Sequence, residues 1–222
     1  MQGNFFRDPH VNNAQEVAES EDVRRVIRAL EPREVRPVFN FTGLGEADAV
    51  FLLTRALASR KVTLNLKRSN NVTWDDLRNT NVVFLGGPKF NPQMRDLPYS
   101  PKYQATSPGI ANLHPKETET AVYTTVRRSP HGEILEEFAL ISAYPGLDEH
   151  TRILTMECYS TEGTLAAAEF LTRPETLRDL RDRMGEALTG SKPASAFQVV
   201  VKARFNAGVV VKLSYVTHTI FQ

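Results

Sequence analysis

The chain has 222 residues, 41% hydrophobic and 24% charged, a composition that supports a packed core and argues against wholesale disorder. Lys and Arg number 27 against 26 Asp and Glu, so the net charge of +1 gives no global attraction for nucleic acid or an anionic membrane. A chain of this length buries roughly 70% of the surface its unfolded form exposes and needs no covalent or metal staple.

The first 19 or so residues are polar and read as an arm or loop. Ser20 then suits an N-cap, and Val23, Val26, Ile27 and Leu30 form a helical stripe that stops before Pro32. Residues 35–41 read as a short strand with Pro37 at an edge. The turn Thr42-Gly-Leu-Gly-Glu46 opens a helix to about Ser59, with Ala47, Val50, Phe51, Thr54 and Leu57 on one face. Val62 to Leu66 alternates as a strand. Thr73 and Asp76 have the spacing of a capping box, and Trp74 is expected to pack beside it.

Asn81 to Leu85 is a compact apolar run of the kind a central parallel strand shows, ended by Gly86-Gly-Pro88. Strand and helix alternate through this half, as in βαβ units. Residues 88–118, rich in Pro, Asn and Ser, show no period and read as one long connection. A hairpin follows, Ala121 to Arg128 and Ile134 to Ala143 around Ser129-Pro-His-Gly132, and then a strand from Arg152 to Tyr159. Ser160-Thr-Glu-Gly163 opens an Ala-rich helix to Leu171. Pro174 starts another, with Leu177, Leu180, Met184 and Leu188 as its buried stripe. A last hairpin joins Phe197 to Phe205 with Val209 to Ile220. With no repeat and no clear linker, residues 1–222 read as one α/β domain. Its expected sheet is mixed, with parallel N-terminal strands and antiparallel C-terminal hairpins.

Several of these segments resemble a known domain. They are Thr42 to Glu46; Thr73 to Asp76 with Asn79-Thr80; and Gly86-Gly-Pro-Lys-Phe-Asn91. Further on come Phe138 to Ile141, Pro145-Gly-Leu147, Arg152 to Leu154, and Thr161 to Thr164 leading into Ala168-Glu-Phe170. Together, over about residues 40 to 215, the chain resembles a poorly characterised bacterial Rossmann-like domain, often found behind a winged-helix segment in transcriptional regulators. The resemblance implies a Rossmann-like three-layer fold and a place in regulation, and it carries no established catalytic residues. Such domains usually begin with an apolar strand ahead of the region matching Arg7 to His10, so the chain is expected to be a fragment or a shortened relative. No winged helix is present, so direct DNA binding is not expected. The small residues usual near Glu157-Cys158 are replaced here.

Ligands of open α/β sheets bind beyond the carboxyl ends of the strands. The candidate ligand-binding residues are therefore Thr42, Gly43, Gly45 and Glu46; Gly86, Gly87 and Asn91; and Ser160, Thr161 and Gly163. Glycines admit close backbone approach and helix N-termini offer free amides, although tight turns need glycine whatever the function. Thr42 to Glu46 completes neither a dinucleotide fingerprint nor a phosphate-binding P-loop. Glu46 and Glu162 suit the first turn of their own helices; if they face a cleft, they favour a polyol, an amine or a sugar. Glu157 interrupts an apolar strand: buried, it would be a site candidate with a raised pKa, but a solvent-facing position is the expectation.

Cys158 reads as a small core residue, with no histidine near it in sequence. One cysteine also excludes an internal disulfide and fits a reducing compartment; the cytoplasm is the expectation, with export left open. No apolar run reaches the roughly 18 residues of a spanning helix, and Met1 to Asp8 lacks signal-peptide order. His10, His114, His131, His150 and His218 scatter beside turns without metal-ligand spacing, so neither metal nor cofactor is expected. Arg24-Arg25 and Arg178 to Arg183 alternate with acids as solvated helix faces. The leading functional expectation is a non-enzymatic small-molecule-sensing or interaction domain of a regulator. The alternative is an enzyme acting on a nucleoside or glycosidic bond through Glu46 or Glu162, and the final hairpin could pair with a second copy.

Overall fold

A computed structural model describes residues 11, 14–30, 42–129, 132–190 and 194–221. The chain divides into two compact units, Met1–Thr42 and Gly43–Gln222. In the first, helices α1 (Ala14–Glu19) and α2 (Glu21–Leu30) are described. Ser20 caps α2 as expected: its hydroxyl accepts from the Val23 amide at 3.2 Å. Residues 14–19 are helical where an arm or loop is expected, a correction that follows from a run of good helix formers. The strand expected over 35–41 lies outside the described residues, as do Pro130 and His131 of the expected turn.

The second unit is mixed α/β. Its helices are α3 (Leu44–Leu57), α4 (Trp74–Asn79), α5 (Thr161–Thr172), α6 (Pro174–Met184) and α7 (Glu186–Thr189). Its strands are β1 (Val82–Leu85), β2 (Tyr103–Ala105), β3 (Gly109–Asn112), β4 (Val122–Thr124), β5 (Val126–Arg127), β6 (Ile134–Pro145), β7 (Arg152–Glu157), β8 (Ala196–Asn206) and β9 (Val209–Phe221). The main sheet runs β1-β7-β6-β8-β9, with β5 on β6, and β2-β3-β4 form a separate antiparallel sheet. Among the described strands only β1 and β7 are parallel, Val82 opposite Ile153 through Leu85 opposite Met156.

The expected parallel N-terminal half is thus corrected to a single parallel pair. Val62 to Leu66 does alternate, but it joins no ladder among the described residues, and Leu66 is 79% exposed. Alternation alone makes a strand only where one face finds cover, and here neither does. Residues 88–118 also differ from the single long connection expected. They hold a 3₁₀ turn over Pro92–Asp96 and the β2–β3 hairpin, whose strands are too short to show a period.

Period-two alternation sorts the main sheet into two faces. Ala139, Ile141, Met156, Val199 and Val201 meet α3, α5 and α6 through Ala49, Ala167, Ala168, Phe170, Leu180 and Met184. On the other face Leu140 and Val200 pack against Tyr103 and Ile110 of the small sheet. Beside them Phe84 and Ile153 take Leu77 of α4. Gln198, fully buried, ties the two sheets together. Its Oε1 accepts from the Lys102 and Tyr103 amides at 2.8 and 2.9 Å, and its Nε2 donates to the Tyr103 carbonyl at 2.9 Å and to Ser142 Oγ at 3.2 Å.

The buried stripe of α3 is Gly45 and Ala49 with Leu52 and Leu53, rotated from the expected face; Phe51 is 63% exposed. Apolar residues lie nearly all round this helix, so the small ones decide which side comes close to α5. The capping box of α4 forms as read: Thr73 Oγ1 accepts from the Asp76 amide at 3.2 Å, and Asp76 Oδ2 from the Thr73 amide at 2.8 Å. Thr73→Ala should lower the stability of the chain by about 1 kcal/mol, measured by urea unfolding. An unchanged midpoint would mean that α4 holds by Leu77 alone.

Candidate functional site

The carboxyl ends of β1 and β7 lie side by side, and each is followed by a segment singled out in the sequence. On the helical face these polar groups answer one another. The Gly45 amide donates to Thr161 Oγ1 at 2.8 Å, Thr161 Oγ1 donates to Glu46 Oε2 at 2.5 Å, and Thr164 Oγ1 donates to Glu46 Oε1 at 3.0 Å. A Cβ on Gly43 would fall 1.9 Å from Glu46 Oε2, so Gly43, Gly45, Glu46 and Thr161 form one tight joint between α3 and α5. Thr42 is exposed and ends the first unit.

Below this joint Ser160 caps α5, accepting from the Gly163 amide at 3.3 Å. Glu137 of β6, 1% exposed, accepts from the Ser160 amide at 3.0 Å and from its hydroxyl. Burial pushes the Glu137 carboxyl up to about 7 against the opposing pull of the Ser160 bonds. The Cys158 thiol donates to the Ser160 carbonyl at 2.8 Å and lies 3.1 Å from Thr164 Oγ1. Burial, reinforced by the Glu137 charge, raises it well above an ordinary thiol, which disfavours a thiolate nucleophile.

Gly86 leaves β1 with φ +82°, a left-handed conformation that favours glycine, and its amide donates to the Met156 carbonyl of β7 at 2.9 Å. The Asn91 side-chain amide donates to the Leu85 and Gly86 carbonyls, both at 2.9 Å, and so braces the loop from inside. Gly87 sits beside Glu157: a Cβ there would lie 3.9 Å from the Glu157 Cβ. The segments 86–91 and 160–164 therefore follow adjacent strand ends, and 43–46 is hydrogen-bonded to the second of them.

The open space is on the opposite face of β7. A cavity of about 280 Å³ lies there, and Arg95, Tyr99, Tyr103, Tyr144, Thr155 and Glu157 contribute to its wall. That is just below the range of drug-sized pockets, roughly 300–1,000 Å³. Thr155 and Glu157 share this face because they are two residues apart on a strand, opposite Ser142 and Leu140 of β6. Glu157 is 7% exposed, which corrects its expected place in solvent: the small sheet and the 88–104 segment cover what looks in sequence like a wet face. Its Oε1 accepts from Thr155 Oγ1 at 2.8 Å, and burial pushes its carboxyl up to about 7 despite that bond.

Tyr99 and Tyr144 stack with centroids 4.3 Å apart and planes 6° from parallel. The Tyr99 hydroxyl donates to the Pro145 carbonyl. Burial pushes Tyr144 up to about 12 and raises Tyr99 as well. Thr155 and the three tyrosines were not legible as a site, since they come from separate segments that meet only through the antiparallel register. A carboxylate in period with apolar residues was the one signal available for Glu157.

A second hollow, of about 350 Å³ along α2, is lined by Glu21, Arg24, Ile27 and Arg28 of that one helix and converges on nothing. Among the described residues no group of three or more His, Cys, Asp or Glu side chains could hold a metal ion. No described helix is long and apolar enough to cross a membrane. Comparison with protein-family models, curated proteins and solved structures gives no match.

Proposed function

We propose that residues 43–222 form a Rossmann-like small-molecule-binding domain of a regulatory protein, which recognises its ligand in the Glu157 cavity without transforming it. The observation that carries this reading is a carboxylate nine-tenths buried on the wall of a cavity that the chain itself leaves open. A buried acid is costly unless something uses it, and perturbed carboxyls in concave sites are enriched in function. One side of the cavity reaches the carboxyl ends of the parallel pair, where Glu157 ends β7 and Pro88 follows β1. The Rossmann-like reading takes its support from that parallel pair and from α3, α5 and α6 covering one face of the sheet, while the other face carries α4 and the small antiparallel sheet. The regulatory setting rests on the resemblance noted from the sequence.

Recognition is favoured over catalysis because the hydrogen-bond partner of Glu157 is a threonine hydroxyl, and no second carboxylate, histidine or cysteine is among the described residues lining the cavity. The glycosidic alternative asks for Glu46 or Glu162 as a free working carboxylate; both oxygens of Glu46 are held by Thr161 and Thr164, and Glu162 lies in the first turn of α5, away from the residues lining the cavity. A thermal-shift panel of nucleotides, sugars, amino acids and simple amines tests the reading. A true ligand at a hundred times its Kd stabilises by roughly 2.7 kcal/mol, about 5–10 °C in melting temperature for a domain of this size. A panel with no saturating shift overturns it.

A further inference from the structure

We infer that the Glu157 cavity selects a small organic cation built on one planar ring, of the aryl-amidine or aryl-ammonium class. The inference rests on the binding reading above and narrows its ligand. The first support is the state of the carboxylate. Its Oε1 is engaged by Thr155, whereas its Oε2 takes no hydrogen bond among the described residues, and no described Lys, Arg or His forms an ion pair with Glu157. A ligand able to donate to that oxygen and bring positive charge supplies both missing partners at once.

The second support is the aromatic wall. Tyr99 and Tyr144 are stacked against each other, and the hydroxyl of Tyr99 is committed to the Pro145 carbonyl, so these residues contribute ring surface. A wall of aromatic side chains gives a planar ring of the ligand apolar surface to pack against. The backbone of Tyr103 is fixed on both its amide and its carbonyl by Gln198, which makes this part of the wall rigid. Arg95 is the one basic residue on the wall; it is exposed and its Nε donates to the Pro88 carbonyl at 3.0 Å, so it opposes a cation only weakly through solvent. An anion would meet the Glu157 carboxylate, with the exposed Arg95 as its one basic neighbour on the wall. A volume of about 280 Å³ suits a one-ring compound.

The test is a charge series on one ring, benzamidine, benzamide and benzoate, titrated calorimetrically into the full chain at pH 7.5. Benzamidine should bind roughly ten- to a hundredfold more tightly than benzamide, and benzoate more weakly than either, as expected when a charged hydrogen bond decides. Glu157→Gln should remove that preference and leave benzamide binding within about threefold. Equal binding of all three, a preference for benzoate, or a benzamidine affinity that survives Glu157→Gln overturns the cation assignment while leaving a binding cavity. Silence of the whole series, with a saturating hit of another class in the thermal-shift panel, also overturns the assignment alone. Silence in both overturns the binding reading with it.

Discussion

Gly45→Ala should destabilise the chain by about 3 kcal/mol or more, near the top of the range for overpacked sites. A Cβ at Gly45 would stand 1.9 Å from the Thr161 carbonyl oxygen and 2.6 Å from its carbonyl carbon. Both are backbone atoms, so no rotamer change relieves the clash, and α3 must lift away from α5. Lifting it stretches the 2.8 Å bond from the Gly45 amide and uncovers Ala49, Leu52 and Leu53. Gly87→Ala is the control, because its nearest atoms would be 3.9 Å away and its φ is not positive. Thermal melts should show a loss of about 6–12 °C for the first variant and little change for the second. Equal melting temperatures for the two would mean that α3 and α5 do not pack as described.

Glu157→Gln should stabilise the chain at pH 8 by on the order of 2–3 kcal/mol and change it little at pH 5. The sign follows from a folded-state carboxyl at about 7 against an ordinary 4.5. Below the lower value folded and unfolded chains both hold the proton, and Glu157 contributes nothing. Between the two values the folded chain keeps a proton that the unfolded chain has lost, so stability falls as pH rises. Above about 7 the whole cost of a desolvated charge is present. Glutamine removes that cost while its amide oxygen can still accept from Thr155. Glu137 carries a similar upward shift, with burial as the main cause, but it remains in wild type and variant alike. Urea titrations at the two pH values measure the difference, and a gap independent of pH would show that Glu157 ionises as an ordinary acid. A residue whose removal stabilises the fold is one the fold does not require, which fits a place in ligand recognition.

The elements that were legible are those whose local signals and tertiary environment agree. α5 and α6 announce themselves by Ser160 at an N-cap and Pro174 at a first helical position, and β8 and β9 by long β-branched runs either side of Asn206-Ala-Gly208. β7 was legible as a strand, yet the cover on its polar side was not. That cover comes from β2 and β3, strands of 3 and 4 residues in a Pro-rich stretch with no periodic signal of their own. Hence Glu157 was expected in water. The glycines at 43, 45 and 86 were legible as special, but their local pattern is the same whether a backbone or a ligand comes close. At Gly43 the neighbours are the Glu46 and Thr161 side chains, at Gly45 the Thr161 backbone of α5, and the third is a left-handed bend followed by a self-braced loop. The parallel partner of β1 was not legible because it lies some 70 residues downstream, a distance no local rule spans.

Gln198 has a consequence for how the molecule can come apart. By accepting at one end and donating at the other, its primary amide behaves towards residues 102 and 103 as a neighbouring peptide group would, and so stands in for a rung of ladder between layers that have no strand in common. Separating the hairpin from the sheet beneath breaks the bonds to the Lys102 amide, the Tyr103 amide and the Tyr103 carbonyl, at roughly 1–3 kcal/mol for each group left dry and unpaired. The two layers are therefore coupled through one side chain, and a guest that steadies Tyr103 acts on both of them.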